Sequence, residues 1–294
     1  MKSQKSVPAK TKSSRQKTVG YNDIDLSRWK EYGDIYTDSL WVINSRDRTN
    51  GHRLDYHGNY IPQIAAQTFN RYSKPGDVII DLFLGSGTSA IEAMNLNRSC
   101  IGVELKPELA EYVQDKIPAK ARKTIKIING DSAHENIRKS VLAKLRAMEK
   151  DHGQLLVLHP PYQDIIKFSD LAADLSNAAS TEDFLKMFHR VASNGFHLLE
   201  PGRFAVLIIG DKYAQGELVP LGFLCMQEMN KVGFVTKSIV VKNIEGNEKG
   251  KGRTNNLWRY RALAGGFYIF KHEYVIILQK PGKPKAKRKT KEKL

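Results

Sequence analysis

The chain has 294 residues, 41% hydrophobic and 27% charged, enough for one substantial α/β core with at most a small appendage. It contains no run of about 18 apolar residues, and its first twenty lack the apolar middle of a secretory signal, so neither a membrane span nor export is indicated and a cytoplasmic protein is expected. The net charge of +16 sits at the ends: residues 1–20 carry six basic side chains and no acid, and residues 280–294 carry eight with only Glu292.

These ends are poor in apolar residues and cannot recover the entropy cost of ordering by burying surface. Residues 1–20 and 281–294 are therefore expected as disordered basic tails around a single domain, 21–280. Mobile cationic arms suit salt-sensitive, nonspecific association with phosphate backbones, although solubilising or localising termini have the same composition. Cys100 and Cys225 lie in apolar stretches without metal-ligand spacing and read as buried thiols in a reducing compartment.

Residues 21–76 mix aromatics with turn-formers. Residues 61–72 read as a helix with Ile64, Ala65, Thr68, Phe69 and Tyr72 near one side, closed by the turn Lys74-Pro75-Gly76-Asp77. An α/β rhythm follows: strands are expected at 78–82, 100–104, 125–128, 155–158, 204–209, 234–241 and 273–278. Helices are expected at 88–96, 107–116, 135–149, 182–199 and 220–232, with Pro107 able to open the second of these. Short apolar strands alternating with helices imply a mostly parallel, seven-stranded sheet covered on both faces, a Rossmann-like α/β fold. Ligands of such sheets bind beyond the carboxyl ends of the strands. That rule gathers Asp81 to Gly87, Glu104, Asp131 and the segment 159–162 around one crevice.

Asp81-Leu82-Phe83-Leu84-Gly85-Ser86-Gly87-Thr88 follows a strand and opens a helix. Gly85 and Gly87 allow a tight turn and close approach of a ligand to the backbone. Glu104 stands nineteen residues after Gly85, at the end of the next strand, where a carboxylate can accept from both ribose hydroxyls. An adenosine-containing cofactor is expected. Gly85, Gly87 and Ala90 also fit the loose G-x-G-x-x-A form of the dinucleotide fingerprint, so a nicotinamide enzyme stays open. No Gly-Lys-Ser/Thr follows, which removes the main support for an ATPase. Asp131 is read either as a partner of the adenine amino group or as the start of the following helix, and Asp81 as the organiser of the loop from its base.

His159-Pro160-Pro161-Tyr162 is the sharpest feature. Two prolines fix consecutive φ angles and remove two amide donors, leaving carbonyls with fixed direction and no local competitor. An exposed tyrosine can stack on a base taken out of its duplex, while a carbonyl and the first side chain accept from its exocyclic amine. Holding both amine hydrogens to one side turns the nitrogen lone pair toward an electrophilic methyl carbon, and no metal is needed.

On these residues the chain resembles the amino-group DNA methyltransferases, which methylate adenine N6 or cytosine N4. Residues 81–88 resemble that family's cofactor loop, and 159–162 its catalytic tetrapeptide. The resemblance implies a class I methyltransferase fold using S-adenosyl-L-methionine, with Glu104 on the ribose. It implies further that Gly58-Asn59-Tyr60-Ile61-Pro62-Gln63, Asn59 and Ile61 above all, helps hold the methionine part. The resulting cofactor set is Asn59, Ile61, Asp81, Phe83, Gly85, Ser86, Gly87, Thr88, Glu104 and Asp131. The catalytic set is His159, Pro160, Pro161 and Tyr162. The family's tetrapeptide usually begins with Asp, Asn or Ser, so His159 is a departure that leaves the adenine or cytosine choice open. A neutral imidazole accepts one hydrogen bond and an imidazolium accepts none, so if His159 fills the acceptor role activity is expected to fall as pH falls toward its pKa, and a flat profile through pH 5 to 8 would contradict that role.

Residues 242–268, with Lys249, Lys251, Arg253, Arg259 and Arg261 among Trp258, Tyr260, Phe267 and Tyr268, read as a DNA-contacting insert or as a sheet excursion with core aromatics. Residues 163–181 read as an active-site loop or a plain connection. Trp29, Trp41, Arg46, Asp47 and Tyr56 offer a second lid or DNA-facing surface, with both tryptophans expected in packing and Arg46 able to pair with Asp47. His57, His189 and His197 read as structural. The function expected is site-specific methylation of a DNA base amine in a prokaryotic or phage setting, with DNA and a cognate restriction nuclease as partners. An RNA base amine is the leading alternative, ahead of a nicotinamide oxidoreductase.

Overall fold

The computed structural model describes residues 18–49, 51, 52, 56, 58–244 and 255–282, without the side chains of 255–258. Most of both basic tails, His57, Lys249, Lys251, Arg253 and the side chain of Trp258 therefore lie outside the described residues.

The strands are β1 (Leu40–Trp41), β2 (Val78–Asp81), β3 (Ser99–Glu104), β4 (Ile125–Asn129), β5 (Gly153–Leu158), β6 (Leu199–Ile209), β7 (Lys212–Ala214), β8 (Glu217–Val219), β9 (Val235–Asn243) and β10 (His272–Gln279). The helices are α1 (Pro62–Tyr72), α2 (Thr88–Asn95), α3 (Pro107–Lys116), α4 (Glu135–Arg146), α5 (Thr181–Leu198), α6 (Leu221–Val232) and α7 (Asn255–Gly265). Eight strands form one sheet in the order β1-β9-β10-β6-β5-β2-β3-β4, and β7 with β8 makes a separate hairpin. Only β10 runs antiparallel to its neighbours in that sheet.

Alternation along the strands builds two cores. Val78 and Ile80 of β2 face one cluster with Leu156 and Leu158 of β5, against Val141 and Leu145 of α4, Phe184 and Phe188 of α5, and Cys225 of α6. Ile79, Leu155 and Val157 face the other, against Ile64 and Phe69 of α1, Ala90 and Ala93 of α2, and Val113 of α3. A strand buried on both faces needs continuous apolar sequence, as β2 and β5 have. The sheet is thus covered on both sides, as its sequence implies.

Three expectations are corrected. The sheet has eight strands rather than seven: Leu40 and Trp41 pair in parallel with Val241 and Lys242 at the edge, too short a strand to carry periodicity. Residues 255–265, read as loop or sheet excursion, are helix α7. Trp41 packs in the core, whereas Trp29 is 65% exposed and packs little, contrary to expectation. Both cysteines are buried free thiols, and His189 pairs with Glu228. Among the described residues no helix is long and apolar enough to cross a membrane.

Candidate active site

Strand β2 pairs with β3 on one side and β5 on the other, so the chain reverses direction across the sheet there. The crevice opens at this switch point, beyond the carboxyl ends. One cavity of about 1290 Å³ is lined there by Asn59, Ile61, Phe83, Gly85, Glu104, Asp131 and all four residues of 159–162. The structure thus brings most of the sequence-derived set together. Asp81, Ser86 and Thr88 are buried behind the loop and, with Gly87, do not line the cavity.

Asp81 supports the loop from beneath. Its Oδ1 accepts from the Phe83 amide at 2.9 Å and its Oδ2 from the Ser89 hydroxyl, which also meets Tyr60 Oη. Burial pushes its pKa up to about 6 against these hydrogen bonds. Gly85 and Gly87 have φ of +57° and +93°, and a Cβ on Gly87 would come within 2.8 Å of Val113 Cγ1. Only glycine fits that conformation and that approach. Ser86 Oγ donates to Asn59 Oδ1 at 2.5 Å, joining the loop to the segment before α1.

Glu104 ends β3 with Oε2 accepting from the Gly85 amide at 2.8 Å and Oε1 from the Lys106 amide at 2.9 Å. A carboxylate has about four lone-pair sites, so both oxygens retain acceptor capacity for a ligand. Burial raises its pKa to about 7, outweighing the two amides. Asp131 accepts from the Ala133 amide at 2.8 Å, but the side chain capping α4 is His134. Asp131 is therefore not the helix start, and it remains a cavity-wall carboxylate.

The opposite wall is the turn after β5. His159 is half-buried, its ring 5.3 Å from Tyr60 and 5.8 Å from Tyr162, centre to centre. Burial lowers its pKa to about 4; Glu273 and a hydrogen bond to the Gly58 backbone oppose this, and the Arg46 charge adds to it. At that value the imidazole is neutral above about pH 5, which moves the loss of activity expected on its protonation to lower pH. Tyr162, expected exposed, is half-buried: its hydroxyl donates to Glu273 Oε2 at 2.8 Å and lies 3.5 Å from His159 Nε2. Glu273 Oε1 accepts from Lys242 Nζ at 2.9 Å, an ion pair with both partners buried.

Lys242, Glu273 and Arg46 line the same cavity and were not among the site residues read from sequence. The available signal was a charged residue beside an apolar run: Lys242 after Ile239, Val240 and Val241 in β9, and Glu273 just before the run from Val275 to Leu278 in β10. Arg46 does not bond to Asp47, whose Oδ1 accepts from the Thr49 amide; its Nη1 donates to the Asn59 carbonyl at 3.3 Å. The loop 163–180 contributes Ile165, Ile166 and Phe168 to the cavity rim, with Phe168 packed 6.1 Å from Tyr56, centre to centre.

The strand order, the reversed β10, helices on both faces and one crevice over the carboxyl ends define a Rossmann-like α/β architecture. The TrmN structure from Thermus thermophilus, 16% identical, aligns over 75% of this chain and 49% of its own at a TM-score of 0.47. A family model for N6/N4 DNA methylases matches residues 2–115, so over that stretch the chain is similar to the amino-group DNA methyltransferases. Among curated relatives, the Type II methyltransferase M.XycI of Xanthomonas campestris pv. cyanopsidis is 27% identical over 89 residues, 30% of this chain and 28% of the relative. The Type II methyltransferase M.SmaI of Serratia marcescens is 40% identical over 45 residues, 15% of each chain. The matched stretches span less than a third of these relatives' own length.

Proposed function

We propose that the protein transfers a methyl group from S-adenosyl-L-methionine to an exocyclic amine of a DNA base, adenine N6 or cytosine N4, at specific sites. The observation that carries this reading is the shared cavity, with Glu104 and Asp131 on the cofactor side and His159 to Tyr162 facing them.

The wall suits the cofactor by the chemistry of its donors and acceptors. Glu104 and Asp131 offer acceptors for ribose hydroxyls and an adenine amine, Phe83 and Ile61 offer apolar surface, and the glycine turn leaves room beside Asn59. When bound, the cofactor supplies an electrophilic methyl carbon on a sulfonium. Pro160 and Pro161 provide no amide to compete for the nearby carbonyls, which are left to accept from the base amine. His159, held neutral, gives a second acceptor through the ring nitrogen not bonded to Gly58. With both amine hydrogens held, the nitrogen lone pair points at the methyl carbon, and orientation supplies much of the acceleration. Once methylated the amine is a strong acid, so even a weakly basic ring nitrogen of His159 can take its proton. Tyr162, tethered through Glu273, offers a ring face to stack on the extruded base.

DNA is the partner, held by the cationic tails and by the region 242–268, where Arg259, Tyr260, Arg261 and Tyr268 are exposed. A restriction nuclease of matching specificity is the further partner we infer from the Type II names of the relatives, in the cytoplasm of a prokaryote or an infecting phage. Incubation with labelled S-adenosylmethionine and either DNA or RNA, followed by methylated-base analysis, tests the reading. N6-methyladenine or N4-methylcytosine in DNA is expected, abolished by His159→Leu. Label in RNA alone, or binding of a nicotinamide nucleotide in place of S-adenosylmethionine, would overturn it.

A further inference from the structure

Arg46 is left incomplete in a place where incompleteness is costly. Its Nη1 is occupied by the Asn59 carbonyl, but Nε and Nη2 are shielded from solvent and have no hydrogen-bond partner among the described residues. Nε and Nη2 form the side-by-side edge of a guanidinium, whose parallel N–H bonds match the two oxygens of a planar oxyanion. Buried donors on a cation are strongly unfavourable unless an acceptor meets them. Asp47 does not serve, because its carboxylate is turned to the Thr49 amide.

The position of this edge narrows the choice of oxyanion. Arg46 lines the cavity, and the Asn59 whose carbonyl it holds also receives the Ser86 hydroxyl from the glycine loop. Its charge is felt at His159. Arg46 thus lies in the same cavity as the glycine loop and the tetrapeptide, tied to the first through Asn59 and close enough to the second for its charge to act on His159, whereas Glu104 grips the loop from β3 through the Gly85 amide. A molecule with its ribose at Glu104 and its sulfonium facing His159 carries its amino-acid end onward, toward Asn59 and Arg46.

We propose that Arg46 is the receptor for the α-carboxylate of S-adenosylmethionine, through a two-point contact of Nε and Nη2. This rests on the function proposed above. A phosphate of the bound DNA is the other source of the same chemistry, and the experiment separates the two.

Calorimetric binding of S-adenosylmethionine and of its decarboxylated form, which keeps the adenosine and sulfonium, is measured on the full chain for the wild type, Arg46→Lys and Arg46→Gln. DNA affinity is measured alongside at fixed salt. A two-point charged contact corresponds to about 10- to 100-fold in affinity. The wild type is expected to prefer S-adenosylmethionine over the decarboxylated form by about that factor. Arg46→Gln is expected to erase the preference while binding the decarboxylated form as the wild type does, with Arg46→Lys between them because a point charge lacks the fork. Equal wild-type affinity for the two compounds overturns the proposal without any variant, and leaves the methyltransferase reading standing. Equal loss of both compounds in Arg46→Gln overturns it in favour of a structural role, and loss of DNA affinity with the preference intact overturns it in favour of a phosphate contact. A wild type that binds neither compound overturns the function and the inference together.

Discussion

The Tyr162 hydroxyl donates to Glu273 across 2.8 Å, and Glu273 is itself held by Lys242 across 2.9 Å, so the last residue of the tetrapeptide is fixed by a buried ion pair on the far strands. Glu273 and Lys242 are direct cross-strand partners of β10 and β9. Removing one member of such a pair leaves an uncompensated buried charge, at a cost of about 3–5 kcal/mol, whereas replacing both with apolar residues is often nearly neutral. Glu273→Ala is therefore expected to lower the melting temperature sharply, and Glu273→Leu with Lys242→Met to restore most of it. In the restored protein Tyr162 has lost its anchor. Its kcat should fall about tenfold, the order of one hydrogen bond, with the KM for cofactor unchanged. Recovery of full kcat in the double variant would show that the tether does not position the ring.

The pH dependence of the site follows from two groups moved in opposite directions. His159, lowered to about 4 by burial, keeps its acceptor lone pair above that value, so kcat should stay flat from pH 5 to 8 as far as this ring is concerned. Glu104, raised to about 7 by burial, loses acceptor capacity when protonated, so cofactor affinity should strengthen as pH rises through about 7. The KM for S-adenosylmethionine should thus fall between pH 6 and 8 while kcat holds. Glu104→Gln should raise KM and remove its pH dependence. His159→Asn, which keeps an acceptor oxygen, should retain activity, and a steep loss of kcat between pH 8 and 6 in the wild type would count against a neutral His159.

Much of this site was legible because its parts sit at strand ends and break local rules. Glu104 ends an apolar strand, Gly85 and Gly87 stand where a strand must become a helix, and two consecutive prolines follow β5. Glu273 and Lys242 were not legible, because their meaning depends on the register of β9 against β10, which is set by chain segments far apart in sequence. Arg46 next to Asp47 suggested a local pair, and only the fold shows each turned to a different partner. Helix α7 was missed because the mixture of arginines and aromatics in it suggested a contact surface, a property that does not distinguish loop from helix. The exposed Trp29 shows that an aromatic side chain alone does not locate a core.

Glu104 should also lower stability at the pH where it is needed. Its folded-state pKa of about 7 lies above the ordinary 4.5, so protonation is tighter in the folded protein. Stability from this group is fully present below about 4.5 and is lost as pH rises through about 7. Glu104→Gln removes the ionisation, so the variant should be more stable than the wild type at pH 8, by about 1–3 kcal/mol, and indistinguishable at pH 4.5. Comparing the two proteins cancels the contribution of Asp81, raised to about 6 in the same direction, and that of His159, which acts in the opposite sense. Melting curves at the two pH values test this, and equal melting temperatures at pH 8 would mean that Glu104 ionises without penalty.

Gly210, just after β6, gives a test of ring placement that leaves the cofactor residues untouched. A Cβ at this position would come within 2.9 Å of Tyr162 Cε2 and 3.2 Å of Cδ2, while its backbone φ is one that any residue adopts. Gly210→Ala therefore acts by contact rather than by backbone strain, pushing the aromatic ring toward the cavity against its tether at Glu273. Overpacking of this kind costs about 1–3 kcal/mol in a close-packed site. A ring displaced by a fraction of an ångström presents a worse stacking face to the base, and misplacement on that scale can cost up to about 100-fold in rate. Gly210→Ala is expected to lower kcat by about 10- to 100-fold and to leave S-adenosylmethionine affinity within about twofold, because Glu104 and the glycine loop belong to other strands. Pairing it with Tyr162→Phe separates the causes: the ring stays crowded but the tether to Glu273 is gone, so the ring can swing and part of the lost rate should return. A Gly210→Ala protein with wild-type kcat would show that the tyrosine ring does not set the position of the base.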